Sequence, residues 1–257
     1  SPLLFGSIGK VGQMYKELIS LFESHQCETL KNASPPFVTS EGRKTYGISV
    51  VLLRKLIRPF VKRFAQLPFA QGLDLASRLY KAEMAEGMIC ANAFLARQKA
   101  KYTDKEIEKV LSLVNGLVSW DSTDDFCMQL SQPLFLLKPK VVIPLVRAWN
   151  KAKGTWVKRA SVVTLTRKVG ASGQYSDLIL ELCEALMEEE HDLILKAVGW
   201  CLKDALRGDR KKFLPYLKKL RCRGVSSVIT LYAARDLKGD VRREVLACKP
   251  LLCTPLT

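Results

Sequence analysis

Two histidines, His25 and His191, are the entire imidazole supply of this 257-residue chain. A zinc site or a Ser-His-Asp triad has little to be built from, and neither a metal nor a cofactor is expected. No apolar run reaches about 18 residues, so no helical membrane span is expected. None of the eight cysteines, at 27, 90, 127, 183, 201, 222, 248 and 253, forms a C-x-x-C pair. They read as reduced core thiols of an intracellular protein, cytoplasmic in a prokaryote or nuclear in a eukaryote. The opening Ser1-Pro2-Leu3-Leu4-Phe5 has no basic leader or cleavage signature, so no secretory signal is expected; with no starting Met, a removed leader stays open. Acids are scarce as well. Against 41 Lys and Arg stand 25 Asp and Glu, a balance of +16 that draws polyanions, nucleic acid before anionic membrane.

Alternating strand patterns are also missing, and what is present is helical. Leu18, Ile19, Leu21 and Phe22 form a stripe in the first segment. The polar stretch from about Thr29 to Thr45, with Pro35-Pro36 and Gly42, reads as a connection. Helix-start cues then fall near Gln71, Thr103, Pro139, Gln174 and Asp209, at gaps of 32, 36, 35 and 35 residues. Thr103-Asp104-Lys105-Glu106 is a capping box, and Pro139 suits a first helical turn. Two second helices share a pattern: Arg159-Ala160 and Lys196-Ala197 each put a basic residue before a small one, 37 residues apart. A pair of helices repeated near 35 residues predicts an all-α fold, a right-handed α-solenoid of HEAT-like pairs with a concave basic surface. One repeat domain is expected over 1–240, its helices within 1–65 the least clearly marked, followed by a tail at 241–257.

Charge is segregated. Residues 140–168 hold eight Lys or Arg and no acid; residues 196–223 hold ten against Asp204 and Asp209. In successive repeats these runs predict a basic stripe for a phosphate backbone. All four tryptophans lie among them, at 120, 149, 156 and 200. Trp149 and Trp156 fit core packing as well as nucleic-acid stacking. Gly199 is expected to clear space beside Trp200. In Ser119-Trp120-Asp121-Ser122-Thr123-Asp124-Asp125, Asp121 or Ser122 is expected to cap a helix whose first turn holds Asp124. Trp120 and Asp124 are one turn apart and share a face. Capping explains one of three acids, not all.

These residues carry a resemblance. Trp120-Asp121-Ser122-Thr123-Asp124 resembles the W-D-x-x-D segment of the AlkD-type DNA alkylation-repair glycosylases. Trp149 through Trp156-Val157-Lys158-Arg159-Ala160 is similar to that family's W…W-x-x-R-A stretch, and Lys196-Ala197-Val198-Gly199-Trp200-Cys201-Leu202-Lys203 to its K-A-x-G-W-x-L-R stretch. Tyr46-Gly47-Ile48 with Leu53-Arg54 resembles its N-terminal motif more weakly, and the whole match covers about residues 45–236. The resemblance implies excision of N3- or N7-alkylated purines from double-stranded DNA by a monomer, without a base-flipping pocket. It assigns Asp124 as the catalytic acid, Trp120 and Trp200 as aromatics flanking the sugar, and Arg159 as a backbone contact. Lys153, Trp156, Lys158, Lys196 and Lys203 join Arg159 as expected DNA-binding residues. Lys203 stands where the family commonly has Arg and cannot make the same bidentate contact. Ser119 stands where it often has a first Trp.

The chemistry follows independently. A purine alkylated at N3 or N7 is cationic and leaves without a general acid, so a carboxylate beside the developing oxocarbenium sugar is the main requirement. The alternatives are a non-catalytic nucleic-acid-binding repeat protein and a helical scaffold for protein partners, which needs no basic stripe.

Overall fold

The computed structural model describes residues 2–31 and 44–250. They are helical throughout; among them the single extended pairing is one parallel bridge, Lys44 to Met84. The chain divides into two compact units, 1–143 and 144–257, with the boundary between Ile143 and Pro144.

The first unit holds α1 (Pro2–Ser24), α2 (Glu28–Lys31), α3 (Val50–Leu56), α4 (Arg58–Phe64), α5 (Phe69–Lys81), α6 (Ala85–Ala96), α7 (Asp104–Leu111), α8 (Trp120–Phe126) and α9 (Gln132–Leu137). Helix α10 (Pro139–Asn150) begins in it. On α1 the buried face is Val11, Met14, Leu18 and Phe22, spaced three and four apart, and it packs on α5. The polar connection read over 29–45 overlaps the short α2; its prolines and Gly42 lie outside the described residues.

The Tyr46-Gly47-Ile48 segment is fastened by one buried acid. Glu86 accepts from Thr45 Oγ1 at 2.7 Å and from the Tyr46 and Ile48 amides at 3.1 Å each. Gly47 sits at φ +77°, which a side chain would strain.

The second unit holds α11 (Thr155–Val163), α12 (Lys168–Ala171), α13 (Ser176–Glu184), α14 (Asp192–Gly208), α15 (Arg210–Cys222), α16 (Ser227–Ala233) and α17 (Gly239–Ala247). Its centre is α14, which packs against α11, α12 and α16. The segment read as a tail from 241 carries most of α17, whose Val245 is buried. Residues 251–257 lie outside the described residues.

Helix starts and ion pairs recur at similar separations along the chain. Thr103 caps α7 with both hydrogen bonds of the capping box, α10 begins at Pro139, and Asp209 caps α15 through the Lys212 amide. Asp104 meets Lys138, Arg147 meets Glu181 and Asp177 meets Lys212, at separations of 34, 34 and 35 residues. Each joins a charge to its counterpart one period away. The acidic residues near 177–190 therefore interleave with the basic runs rather than standing apart. Cys90, Cys127, Cys183 and Cys201 are buried thiols, whereas Cys222 is exposed.

Candidate nucleic-acid interface and carboxylate site

Helix α8 is the local product of its first four residues. Its cap is Ser119, two or three positions earlier than the expected Asp121 or Ser122. The Ser122 amide donates to Ser119 Oγ at 3.3 Å, and the Ser119 amide donates to Ser122 Oγ at 3.2 Å. Serine serves both ends of this box because its hydroxyl oxygen accepts from a backbone amide at either position. The helix therefore starts at Trp120, and Asp124 falls in its second turn, beyond the dipole-favoured first turn where it was expected. Trp120 and Asp124 remain four residues apart on one face, with Trp120 half-buried and Asp124 only 8% exposed.

The three acids separate by task. Asp121 accepts from Ser119 Oγ and, at 3.0 Å, from the Ser122 amide, which is helix-start work. Asp125 enters a buried chain: Tyr80 Oη donates to Asn92 Oδ1 at 2.6 Å, and Asn92 Nδ2 donates to Asp125 Oδ2 at 2.8 Å. Asp124 is the acid on the tryptophan face, four residues after Trp120. A π-turn, Cys127–Ser131, follows α8, with the Gln132 amide bonded to Cys127 O. Pro133 has no N–H to offer the Gln129 carbonyl, so the wider ladder suits the sequence.

Burial pushes the Asp125 carboxyl up to about 6, against the Asn92 hydrogen bond and the Arg54 charge, which favour ionisation. Sequence reading passed over Asp125 because nothing local marks a partner 33 residues away. Its folded pKa exceeds the ordinary 3.8, so the folded state holds the proton through that interval. Its contribution to stability is present near pH 4 and declines as pH rises through about 6, by on the order of 3 kcal/mol at neutral pH. Asp125→Asn keeps an oxygen for Asn92 and removes the titration. Thermal melts at pH 4.5 and 7 should therefore show the variant gaining on the parent by about 5–10 °C over that range; parallel melting curves would contradict a buried neutral carboxyl.

In the second unit, Lys196, Trp200, Lys203 and Arg207 follow one face of α14, at spacings of four, three and four. Gly199 does not clear space for Trp200. A Cβ there would lie 2.7 Å from Tyr232 Cβ and 2.8 Å from Ile229 O, so its role is the close approach of α16. Above the Trp200 ring stands the Arg167 guanidinium, 5.7 Å from the centroid. Arg167 has φ +54° and ψ −124°, a conformation costing roughly 1–3 kcal/mol in a side-chain-bearing residue. Its amide is held by Asp204 Oδ2 at 2.6 Å. Asp204 is 1% exposed; its Oδ1 faces Lys203 at 3.4 Å and Arg207 at 3.3 Å. Asp236 meets the same cations; burial works against its ionised form, but Arg207 and Lys203 hold its carboxyl below the usual carboxylate range. Arg167 and Asp204 were not legible as site residues, because a positive φ at arginine leaves no trace in sequence.

The remaining expected DNA contacts are placed as follows. Arg159 is 5% exposed on α11 and donates to the Leu193 carbonyl in the first turn of α14. Lys158 pairs with Glu189 at 2.5 Å in a partly sheltered position. Lys196 lies 3.8 Å from Asp192. Trp156 is half-buried, edge-on to His191 at 6.0 Å, while Trp149 is core. Lys153 is exposed. Several lysines of the expected stripe are thus balanced by acids within their own unit. Among the described residues no group of three or more His, Cys, Asp or Glu is placed to hold a metal ion.

The sequence model of the DNA alkylation repair enzyme family matches residues 16–237. In fold, the chain is similar to a solved structure described as a predicted DNA alkylation repair enzyme from Enterococcus faecalis. That similarity has a TM-score of 0.66 and 15% identity, and covers 76% of this chain and 89% of the other. Comparison with curated proteins gives no match.

Proposed function

The chain belongs to the DNA alkylation repair enzyme family, and on that premise we propose that it is a DNA glycosylase releasing N3- and N7-alkylated purines from duplex DNA. The observation that carries this is on α8: a carboxyl group only 8% exposed, Asp124, shares a face with the half-buried Trp120 one turn before it. The caps and the ion pairs one period apart support a HEAT-like pairing of helices.

The substrate does half the work. An alkylated purine carries positive charge, so breaking the N-glycosidic bond returns the electron pair to a ring that already needs it. The sugar becomes cationic at the anomeric carbon. Asp124 stabilises that charge: a unit pair at about 4 Å is worth roughly 4 kcal/mol at an effective dielectric near 20. The same carboxylate accepts a proton from the water that adds to the sugar. The Trp120 indole face supplies a cation–π interaction that grows with the charge. Trp200 is assigned a second aromatic contact to the DNA, and Arg159, Lys153, Trp156, Lys158, Lys196 and Lys203 are assigned to backbone binding. No step requires a base pocket, which admits lesions of varied bulk.

The deciding experiment is incubation with methylated duplex DNA and detection of free bases. Release of 3-methyladenine or 7-methylguanine, rising with protein concentration, is the expected result. Tight duplex binding with no free base would leave a non-catalytic nucleic-acid-binding protein.

A further inference from the structure

The first unit contains a basic cleft that the charge pattern of the sequence did not mark. It has a volume of 520 Å³ and lies where α3 and α4 meet α6 and the turn Lys99–Lys101. Arg54, Arg58, Arg97 and Lys99 line it, together with Gln129 and small aliphatic side chains; no carboxylate does.

Three of its four cations, Arg58, Arg97 and Lys99, have no acid within 4 Å among the described residues. In the second unit, Lys158, Lys196, Lys203, Arg207, Lys212 and Arg223 all meet acids within 4 Å. Arg54, the fourth cation of the cleft, acts on Asp125 through its charge and, among the described residues, likewise forms no ion pair. Helix dipoles favour Arg54 in the last turn of α3 and Arg97 at the end of α6, but not Arg58, which occupies the first residue of α4, the end where a cation is disfavoured. Four converging like charges repel, and an apolar-walled cleft focuses their field. Such an arrangement is relieved by an anion. Three of the four are arginines, whose planar forks match phosphate oxygens two at a time.

The cleft also connects to the carboxylate helix. Gln129 lines it, and the Gln129 side chain hydrogen-bonds Asp125, the residue after Asp124 on α8.

We infer that this cleft is a second phosphate-binding site, taking consecutive phosphodiesters of a DNA strand beside α8. The choice of DNA as the source of phosphate rests on the proposed function; the anion site itself rests on the cleft.

The test is a salt titration of binding to an undamaged duplex, using Arg58→Gln with Arg97→Gln, and Arg58→Lys with Arg97→Lys as the charge-retaining partner. Loss of two phosphate contacts should lower the slope of log K against log salt by about 2 and weaken binding at low salt at least tenfold. The lysine pair should keep the slope. An unchanged slope in the glutamine pair, with its melting temperature intact, overturns the cleft even if alkylated bases are released. A reduced slope without any base release by the parent protein upholds the cleft and removes the glycosylase reading. If the lysine pair loses the slope as completely as the glutamine pair, charge is not what the cleft contributes, and the inference fails.

Discussion

Asp124→Asn should retain duplex binding and lose release of 7-methylguanine by roughly 100- to 1,000-fold. The magnitude follows from the field that is removed. A negative charge about 4 Å from a developing oxocarbenium is worth roughly 4 kcal/mol at an effective dielectric near 20, and each 1.36 kcal/mol is a factor of about ten in rate. Asparagine preserves the shape and an oxygen acceptor, so α8 should not move. Its cap lies at Ser119 and Ser122, untouched by the change. Single-turnover assays at saturating protein isolate the chemical step from affinity. Equal rates for parent and variant would remove Asp124 from the chemistry. Asp125→Asn makes a useful contrast, since that acid is tied to Asn92 and should affect the pH dependence of stability first.

The second large effect is on folding. Gly208→Ala should destabilise the protein by about 3 kcal/mol, a fall of roughly 6–12 °C in melting temperature for a chain of this size. A Cβ at Gly208 would press on the Gly170 carbonyl oxygen and stand 2.6 Å from the Gly173 nitrogen and 2.9 Å from the Ala171 carbonyl carbon. All three are backbone atoms, which cannot rotate aside. The end of α14 would have to part from α12 and its following turn, a contact at the centre of the second unit. Gly12→Ala is the control. It lies on α1 with nothing within 4 Å of the added atom, and should be neutral or stabilising by up to about 1 kcal/mol. If both variants melt like the parent, the packing of α12 on α14 is looser than these distances require.

Much of the helical frame was readable from the chain alone. Thr103, Pro139 and Asp209 mark helix starts through chemistry that lies within four residues, and the structure uses all three. The cap of α8 was misplaced to Asp121 or Ser122 because Ser119, Asp121 and Ser122 can each accept an amide. Only the backbone geometry selects Ser119, which is extended at φ −156° and so turns its oxygen onto the helix. Gly199 was read as clearance for Trp200, its neighbour in sequence. Its reason is Tyr232, 33 positions away, and no local pattern carries that information. The basic runs were read as an open stripe, whereas Glu181, Glu189 and Asp192 answer several of their charges.

The amino-acid sequence by itself determined that this chain is helical, where several of its helices start, and that Trp120 and Asp124 share a helix face. Those properties depend on periodicity and on contacts spanning a turn or less. Tertiary structure decided which charges are balanced, which acid of the α8 segment is drawn into a buried network, and that Arg54, Arg58, Arg97 and Lys99 line one cleft that no carboxylate lines. Burial and ion pairing are set by residues one helical pair or more apart. Whether a charge is spare or spent is therefore fixed only when those distant segments pack.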